Sequence, residues 1–304
     1  MLEMLQQWSG LLVPVFVVLT MLNVGLTQTL SDISDYWKHW KFVALMLLAS
    51  FVLVPGVMLG MLSVIELPVP QAAGLLVFSL CAGAPFLIKL TQASGHDMAL
   101  GAAVMLMLMV ATVAYAPLVL PRVLDGVTVD AWAVAKALLL QLLLPIVTGM
   151  LAARLLPHVS KRLQPWVARF GNYALYGVII TTLVGYARSL WPMVTSGAIV
   201  VGLVLVAVAF VIGYFAGKFS SGGEDHLEDI GGLGTAQRNT AAGMIIATGN
   251  FENPDVMVML TLANVLGIVM LLLLARRLSR DNAPDASSGV SPTPADSSHP
   301  ESER

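Results

Sequence analysis

Charged side chains are scarce in this chain of 304 residues: Asp, Glu, Lys and Arg make up 11%, against about 25% in an ordinary soluble domain. A water-facing surface cannot be assembled from so few charges. Cysteine is nearly absent as well. The single Cys81 lies in an apolar run, which excludes a disulfide within the chain and a cysteine-based zinc site. The five histidines, His39, His96, His158, His226 and His299, fall in predicted loops or near the C-terminus, without the spacing of a metal site. The first ten residues hold no Lys or Arg, which argues against a cleavable signal peptide. Net charge is −2, so nothing suggests a nucleic-acid partner. Carboxylates lie in loops or the C-terminal stretch, away from any base or nucleophile arrangement, so the expectation is that the chain is not an enzyme and carries no cofactor. Gly231-Gly232-Leu233-Gly234 has neither the preceding strand nor the lysine of a phosphate loop.

What the chain does have is apolar surface. Hydrophobic residues make up 57% and mean hydropathy is +0.83. These values describe an all-α polytopic membrane protein whose lipid bilayer is its solvent. Nine apolar segments follow one another at about 10–30, 41–63, 70–94, 98–121, 131–153, 167–188, 193–217, 230–250 and 254–275. The linkers between them are short and carry Pro, Gly, Asp or charge, so the expectation is nine transmembrane helices with no soluble domain among them. Lys38, Lys41, Arg154, Lys161, Arg162, Arg169, Lys218, Arg276, Arg277 and Arg280 then all fall on one side, with little beyond Arg122 and Arg188 on the other. The positive-inside rule puts that basic side in the cytoplasm, with the N-terminus outside and the C-terminus inside an inner or plasma membrane. The transmembrane domain is expected over 1–280. From 281 to 304 the composition turns to Ser, Pro, Asp and Ala, which reads as a disordered cytoplasmic tail.

Two segments are too polar to face lipid. The third holds CAGAPFLIKLTQASG, in which Gly83, Pro85 and Lys89 interrupt the apolar run. The eighth holds GGLGTAQRNTAAGMIIATGNF, residues 231–251, with Gly231, Gly232 and Gly234 ahead of Gln237, Arg238 and Asn239. An arginine at mid-span costs about 2.5–3.5 kcal/mol on insertion scales. Both segments are therefore expected to be broken helices, with Gly83, Pro85, Gly231, Gly232 and Gly234 permitting the breaks. Broken helices are tolerated where they line a cavity. At matching positions of two inverted halves, they point to a transporter site near the midplane. At about 1.5 Å of rise per residue, Lys89 and Arg238 lie roughly 9 and 12 Å from the cytoplasmic ends of their spans. Neither has a carboxylate within the spans to pair with. They are candidates for binding an anionic substrate, together with Gln237, Asn239 and Thr240. Lys89 has the alternative of snorkelling to the headgroups, and Arg238 that of bonding carbonyls freed by the break. Asn23 and Thr27 share a face of the first span, and Asn264 is an amide deep in the last. Thr91, Gln92, Gln141, Pro145 and Thr148 are weaker candidates, and all serve equally well as interhelical contacts.

With these pieces in place the chain resembles the bile acid:sodium symporter family over about residues 11–279. The resemblance is carried by MLNVGLT at 21–27, CAGAPF at 81–86, SGHDMAL at 94–100, GLGTAQRNTAAG at 232–243 and NFENPDVMVMLTLANVLG at 250–267. It implies two inverted five-helix repeats with the first helix missing, a panel domain facing a core domain, and two broken helices crossing in the core. It also implies alternating-access transport of a small organic anion, such as a bile acid, a steroid conjugate, or a keto acid or pantoate-like molecule. The sequence departs from the family at its sodium sites. Phe86, Leu87, Ile88 and Lys89 stand where relatives place Ser-Asn. Gly234 stands at the glutamate position and Arg238 at the glutamine. Thr235, Gln237 and Asn239 are the remaining ion-ligand candidates. Na⁺ and H⁺ both stay open as coupling ions, and the expectation is that the two cations replace sodium. An organic-anion channel and a non-transporting membrane receptor are the alternative readings.

Overall fold

The computed structural model describes residues 2–28, 40–123, 130–221 and 227–281. Lys38, His39, His226, His299 and the expected tail beyond Asp281 lie outside the described residues. The described chain is helical, with no strand. In chain order it forms α1 (Leu2–Thr27), α2 (Trp40–Leu48), α3 (Val54–Val64), α4 (Val69–Leu80), α5 (Leu87–Ala93), α6 (Met98–Val123) and α7 (Ala131–Leu138). There follow α8 (Leu144–Leu155), α9 (Pro157–Gly185), α10 (Ala187–Thr195), α11 (Ala198–Ser221), α12 (Leu227–Ala236), α13 (Thr240–Asn250) and α14 (Asp255–Asp281). Among the described residues six stretches are long and apolar enough to cross a membrane: Trp40–Val64, Met98–Val123, Ala131–Leu155, Pro157–Gly185, Ala198–Ser220 and Asp255–Ser279. Leu11–Thr27 and Val69–Leu80 are apolar but shorter.

Two differences from the expected boundaries have local causes. Arg154 to Arg169 was expected as a linker, yet α9 starts at Pro157. Proline at the first helical position lacks only an N–H that would be unpaired there anyway, so it opens a helix readily. The charged residues of this stretch then ride on exposed helix, with the Arg169 guanidinium 5.2 Å from the Trp166 ring. The other difference is a pair of five-residue π-turns, Ala49–Leu53 between α2 and α3 and Leu139–Leu143 between α7 and α8. Each is followed two residues later by a proline, Pro55 or Pro145. A proline has no amide to donate, so a carbonyl one turn back loses its partner and the ladder re-registers there. At the first of these turns the Val54 amide bonds to Ala49 O instead of Ser50 O. Ser50 O is thereby released to other donors.

Helix packing falls into two groups. One joins α1 to α8 and α9; the other joins α11 to α12 and α14 to α4. The contacts in both are made backbone to backbone at glycines, the usual means by which membrane helices approach closely. In the first group, a Cβ at Gly149 would lie 2.6 Å from Leu22 O, and one at Gly25 would overlap Ile146 O. In the second, Gly213 and Gly231 face one another across α11 and α12 so closely that a Cβ on either would strike the other's carbonyl. A Cβ at Gly232 would lie 2.7 Å from the Phe210 ring, and one at Gly234 would lie 3.0 Å from Val104 Cγ1. These three glycines therefore do not break the helix, which corrects the expectation above. They lie within α12, and the break falls at Gln237–Asn239. Small side chains are needed there for contact between helices, and the turn is made by the polar residues that follow.

Candidate functional site where two broken helices cross

The third and eighth apolar segments each divide into two half-helices, α4 and α5 around Cys81–Phe86, and α12 and α13 around Gln237–Asn239. The two extended linkers meet in an isolated antiparallel bridge between Ala82 and Arg238. The Asn239 amide donates to Cys81 O at 2.9 Å. Backbone taken out of a helix inside an apolar bundle must find other partners, and here side chains supply them. The Thr112 hydroxyl of α6 donates to Ala82 O and accepts from the Ala82 amide, each at 2.9 Å. Asn239 caps α13 by accepting from the Ala242 amide at 3.0 Å, and its Nδ2 donates to Gly83 O at 2.9 Å. Gly83 has φ +78°, and a Cβ there would lie 2.6 Å from Met105 O and strike the Met109 amide. Glycine alone fits at this position of the linker. Pro85 follows in the turn that leads into α5.

Arg238 is 1% exposed at this crossing. Its Nη1 donates to Ser50 O at 3.2 Å, the carbonyl released by the π-turn. The Tyr115 hydroxyl, from α6, donates to Phe51 O on the same turn, and the two rings meet at a tilt of 54° with centroids 4.8 Å apart. Nε and Nη2 of Arg238 have no hydrogen-bond partner among the described residues, and the hydroxyls of Ser50 and Thr240 are also unpartnered. No carboxylate pairs with the guanidinium among the described residues. The C-terminal ends of α4 and α12 and the N-terminal ends of α5 and α13 all point into this region. Carbonyl ends carry partial negative charge and amide ends partial positive charge. The arrangement thus holds one fixed cation among carbonyl ends, with the guanidinium edge formed by Nε and Nη2 left free. That edge is the one that accepts a carboxylate or similar oxyanion through two parallel hydrogen bonds.

The other candidate residues are dispersed. Gln237 and Thr235 are buried beside Arg238, with the Thr235 hydroxyl 3.7 Å from the Met46 sulfur. Thr240 is 7% exposed, in the first turn of α13. Lys89 is exposed, with its ammonium 5.7 Å from the Phe86 ring centroid, so the two cations occupy unlike surroundings. Asn23 accepts from Gln164 Nε2 at 2.9 Å, an interhelical bond between α1 and α9. Thr27 is exposed and donates to Asn23 O at 3.0 Å. Thr91 and Thr148 bond back to carbonyls of their own helices, Gln92 is exposed, and Gln141 lies in the second π-turn. Asn264 is half-buried on α14.

Ser50, Thr112 and Tyr115 are part of the site and were not expected from the sequence. The available signal was Pro55, which stands inside an apolar span and frees carbonyls one turn earlier. A second unexpected feature is a contact between an imidazole and a carboxylate. His96, after α5, has Nε2 3.3 Å from Asp229 Oδ2 in the first turn of α12, and both are about nine-tenths buried. Nδ1 of His96 lies 3.0 Å from the Ser94 hydroxyl. The pair ties the end of the first broken helix to the start of the second. Among the described residues no three His, Cys, Asp or Glu side chains are grouped to hold a metal. Surface hollows of about 520 and 580 Å³ open elsewhere, one beside His158 and Trp166 and the other between α11 and α14. At the crossing itself Cys81, Arg238 and Asn239 are buried.

Comparison with known proteins agrees with the resemblance read from the motifs. The profile of the sodium bile acid symporter family matches residues 14–192. The match takes in α4, α5 and the first π-turn and ends before α12. A probable sodium/metabolite cotransporter BASS2, chloroplastic, of Oryza sativa subsp. japonica is 28% identical over 245 residues, which is 78% of this chain. The chain spans 57% of that relative's length. On the family match, which covers more than half of its residues, the chain is an integral multi-pass membrane protein and belongs to the sodium bile acid symporter family.

Proposed function

We propose that the chain is a secondary transporter that carries a small organic anion across the membrane by alternating access, with Arg238 as the residue that meets the anion. The observation that carries this reading is the guanidinium buried at the crossing, with one backbone hydrogen bond and a free Nε/Nη2 edge. A buried charge left incompletely bonded is expensive to keep. An anion arriving at that edge relieves the penalty, so the site favours a loaded state. Two groups of helices, α1 with α8 and α9 against those that carry the crossing, supply the bodies whose relative movement would expose it to either side. In this proposal the broken helices and α1 complete nine crossings in two inverted repeats, with the N-terminus outside and the C-terminus in the cytoplasm. Substrates in keeping with the site are bile-acid-like, steroid-conjugate and keto-acid or pantoate-like anions.

The rice relative is named for sodium and metabolite cotransport. In this chain Arg238 places a tethered cation among the carbonyl ends, where a coupling cation would otherwise be attracted. We therefore expect uptake without sodium. Proteoliposomes containing the full chain, given a panel of organic anions with and without a sodium gradient, test both parts. The expected result is saturable uptake and counterflow of at least one anion, independent of sodium and lost in Arg238→Gln. Strict sodium dependence would sink the tethered-cation proposal. Undiminished uptake by Arg238→Gln would remove Arg238 from the substrate site, and single-channel currents would replace the carrier by a pore.

A further inference from the structure

The hollow of about 580 Å³ between α11 and α14 is graded along its length. Phe210 and Val211 of α11 and Met270 and Leu273 of α14 wall it, and Arg276 and Arg277 stand at one end. Both arginines are exposed, and neither has an ion-pair partner among the described residues. At about 1.5 Å of rise per residue, Arg276 lies roughly 7 Å from the end of α14, while Phe210 lies roughly 16 Å inside the end of α11. Lys218 is basic in the last turn of α11, so both helices end at a positively charged level. The hollow therefore starts in the hydrocarbon and finishes at headgroup depth.

We propose that this hollow binds an anionic phospholipid, with an acyl chain along Phe210 and Leu273 and the phosphate at Arg276 and Arg277. Basic pockets between membrane helices recognise anionic headgroups in this way. The occupant must be apolar over most of its length and negative at one end, which matches the lining. A second copy of the chain fits poorly. A two-fold axis along the membrane normal would bring both arginine pairs to the same depth on one interface, with no carboxylate among the described lining residues to neutralise them. Free phosphate would use the arginines and leave the apolar wall bare. The site also has a route to the crossing. The Phe210 ring covers Gly232, where a Cβ would come within 2.7 Å of it. A lipid filling the hollow presses Phe210 onto α12, the helix that delivers Arg238. The bound lipid is thus a buttress for the crossing as well as a surface ligand.

The test uses the full chain in nanodiscs of phosphatidylcholine with or without phosphatidylglycerol, read by native mass spectrometry and by thermal melting. Phosphatidylglycerol should be retained in preference to phosphatidylcholine and should raise the melting temperature. The double variant R276Q/R277Q should bind it roughly thirtyfold more weakly, from the contribution of two basic residues at a membrane surface, whereas R276K/R277K keeps most of the effect. Leu273→Trp fills the hollow without touching the charges and should also lose the retained lipid. Equal retention by R276Q/R277Q or by Leu273→Trp overturns the proposal. So does equal stabilisation by inorganic phosphate in phosphatidylcholine, or a dimer that masks this face. None of these readings depends on transport.

Discussion

Replacing Arg238 with methionine should make the protein more stable while abolishing uptake. Among the described residues the guanidinium makes one hydrogen bond, from Nη1 to Ser50 O, and leaves Nε and Nη2 buried without partners. A hydrogen bond from a charged donor contributes about 1.5–3 kcal/mol, and each unsatisfied buried group costs about 1–3 kcal/mol. Methionine forfeits the bond and leaves Ser50 O unpaired, but it removes two orphaned donors and a buried charge. Even a buried ion pair can often be exchanged for apolar residues of similar volume with a neutral or stabilising effect, about 1–4 kcal/mol where it stabilises, and a lone buried charge has less to lose. At about 2 °C per kcal/mol for a chain of this size, the melting temperature should rise by roughly 2–8 °C. Cys81 offers a direct assay, because it is the chain's only cysteine and is fully buried. A thiol-reactive fluorophore will label it only as the fold opens. Cys81 adjoins the crossing, so loosening confined to that region would report early. Size-exclusion recovery after heating serves as the second readout. Uptake should fall about 30-fold or more, the loss expected when one partner of a buried charge-assisted contact is removed. A melting temperature several degrees below wild type for Arg238→Met, with Arg238→Lys unchanged, would refute the reasoning. It would make Arg238 a structural cap for the π-turn.

Three further outcomes follow from the same geometry. Gly83→Ala places an L side chain at φ +78° against the Met109 amide. The dihedral alone costs about 1–2 kcal/mol, so the variant should give less monodisperse protein on gel filtration than wild type. Tyr115→Phe leaves Phe51 O without its donor at a cost of about 1–3 kcal/mol, and a thermal melt should show the double variant Tyr115→Phe/Pro55→Ala partly recovered, because alanine restores an amide donor to that turn. Asn239→Ala removes both the cap of α13 and the bond to Gly83 O. The combined loss is about 2–3 kcal/mol, seen as earlier labelling of Cys81 on heating.

How far the sequence could be read depends on where each signal originates. Arg238 was legible because its chemistry conflicts with its neighbours, and an arginine among small apolar residues demands an explanation wherever it is placed. The two breaks were legible for the same reason. Their internal construction was not. Gly231, Gly232 and Gly234 read as helix breakers because glycine disfavours helix in a soluble peptide by about 1 kcal/mol. In a bundle that preference is outweighed by close contact with Gly213 and Phe210, residues about twenty positions earlier whose relevance no local pattern reveals. Thr112 and Tyr115 resemble any other polar residues on an apolar helix until Ala82 and Phe51 are brought to them. His96 and Asp229 each sit at a segment end, where solvated loops are expected, and only the meeting of α5 with α12 makes them a pair.

The crossing combines two opposite requirements, and the division of labour between its residues shows how both are met. Much of the linker backbone is committed: Thr112 satisfies Ala82, Asn239 satisfies Gly83 O and caps α13, and the Asn239 amide satisfies Cys81 O. Glycine contacts between α11 and α12 hold the approach to the break in place. Among the described residues the side chains of Arg238, Ser50 and Thr240 are left with unmet hydrogen-bonding capacity. A site that merely needed a stable bend would spend those donors on the surrounding carbonyls, as Tyr115 does on Phe51. On the proposed function, backbone held in place around unsatisfied donors gives an incoming anion a large gain on binding, since little further ordering is required of the protein. The same feature predicts that variants which satisfy Arg238 internally, such as Ser50→Asp, will melt higher and carry less substrate.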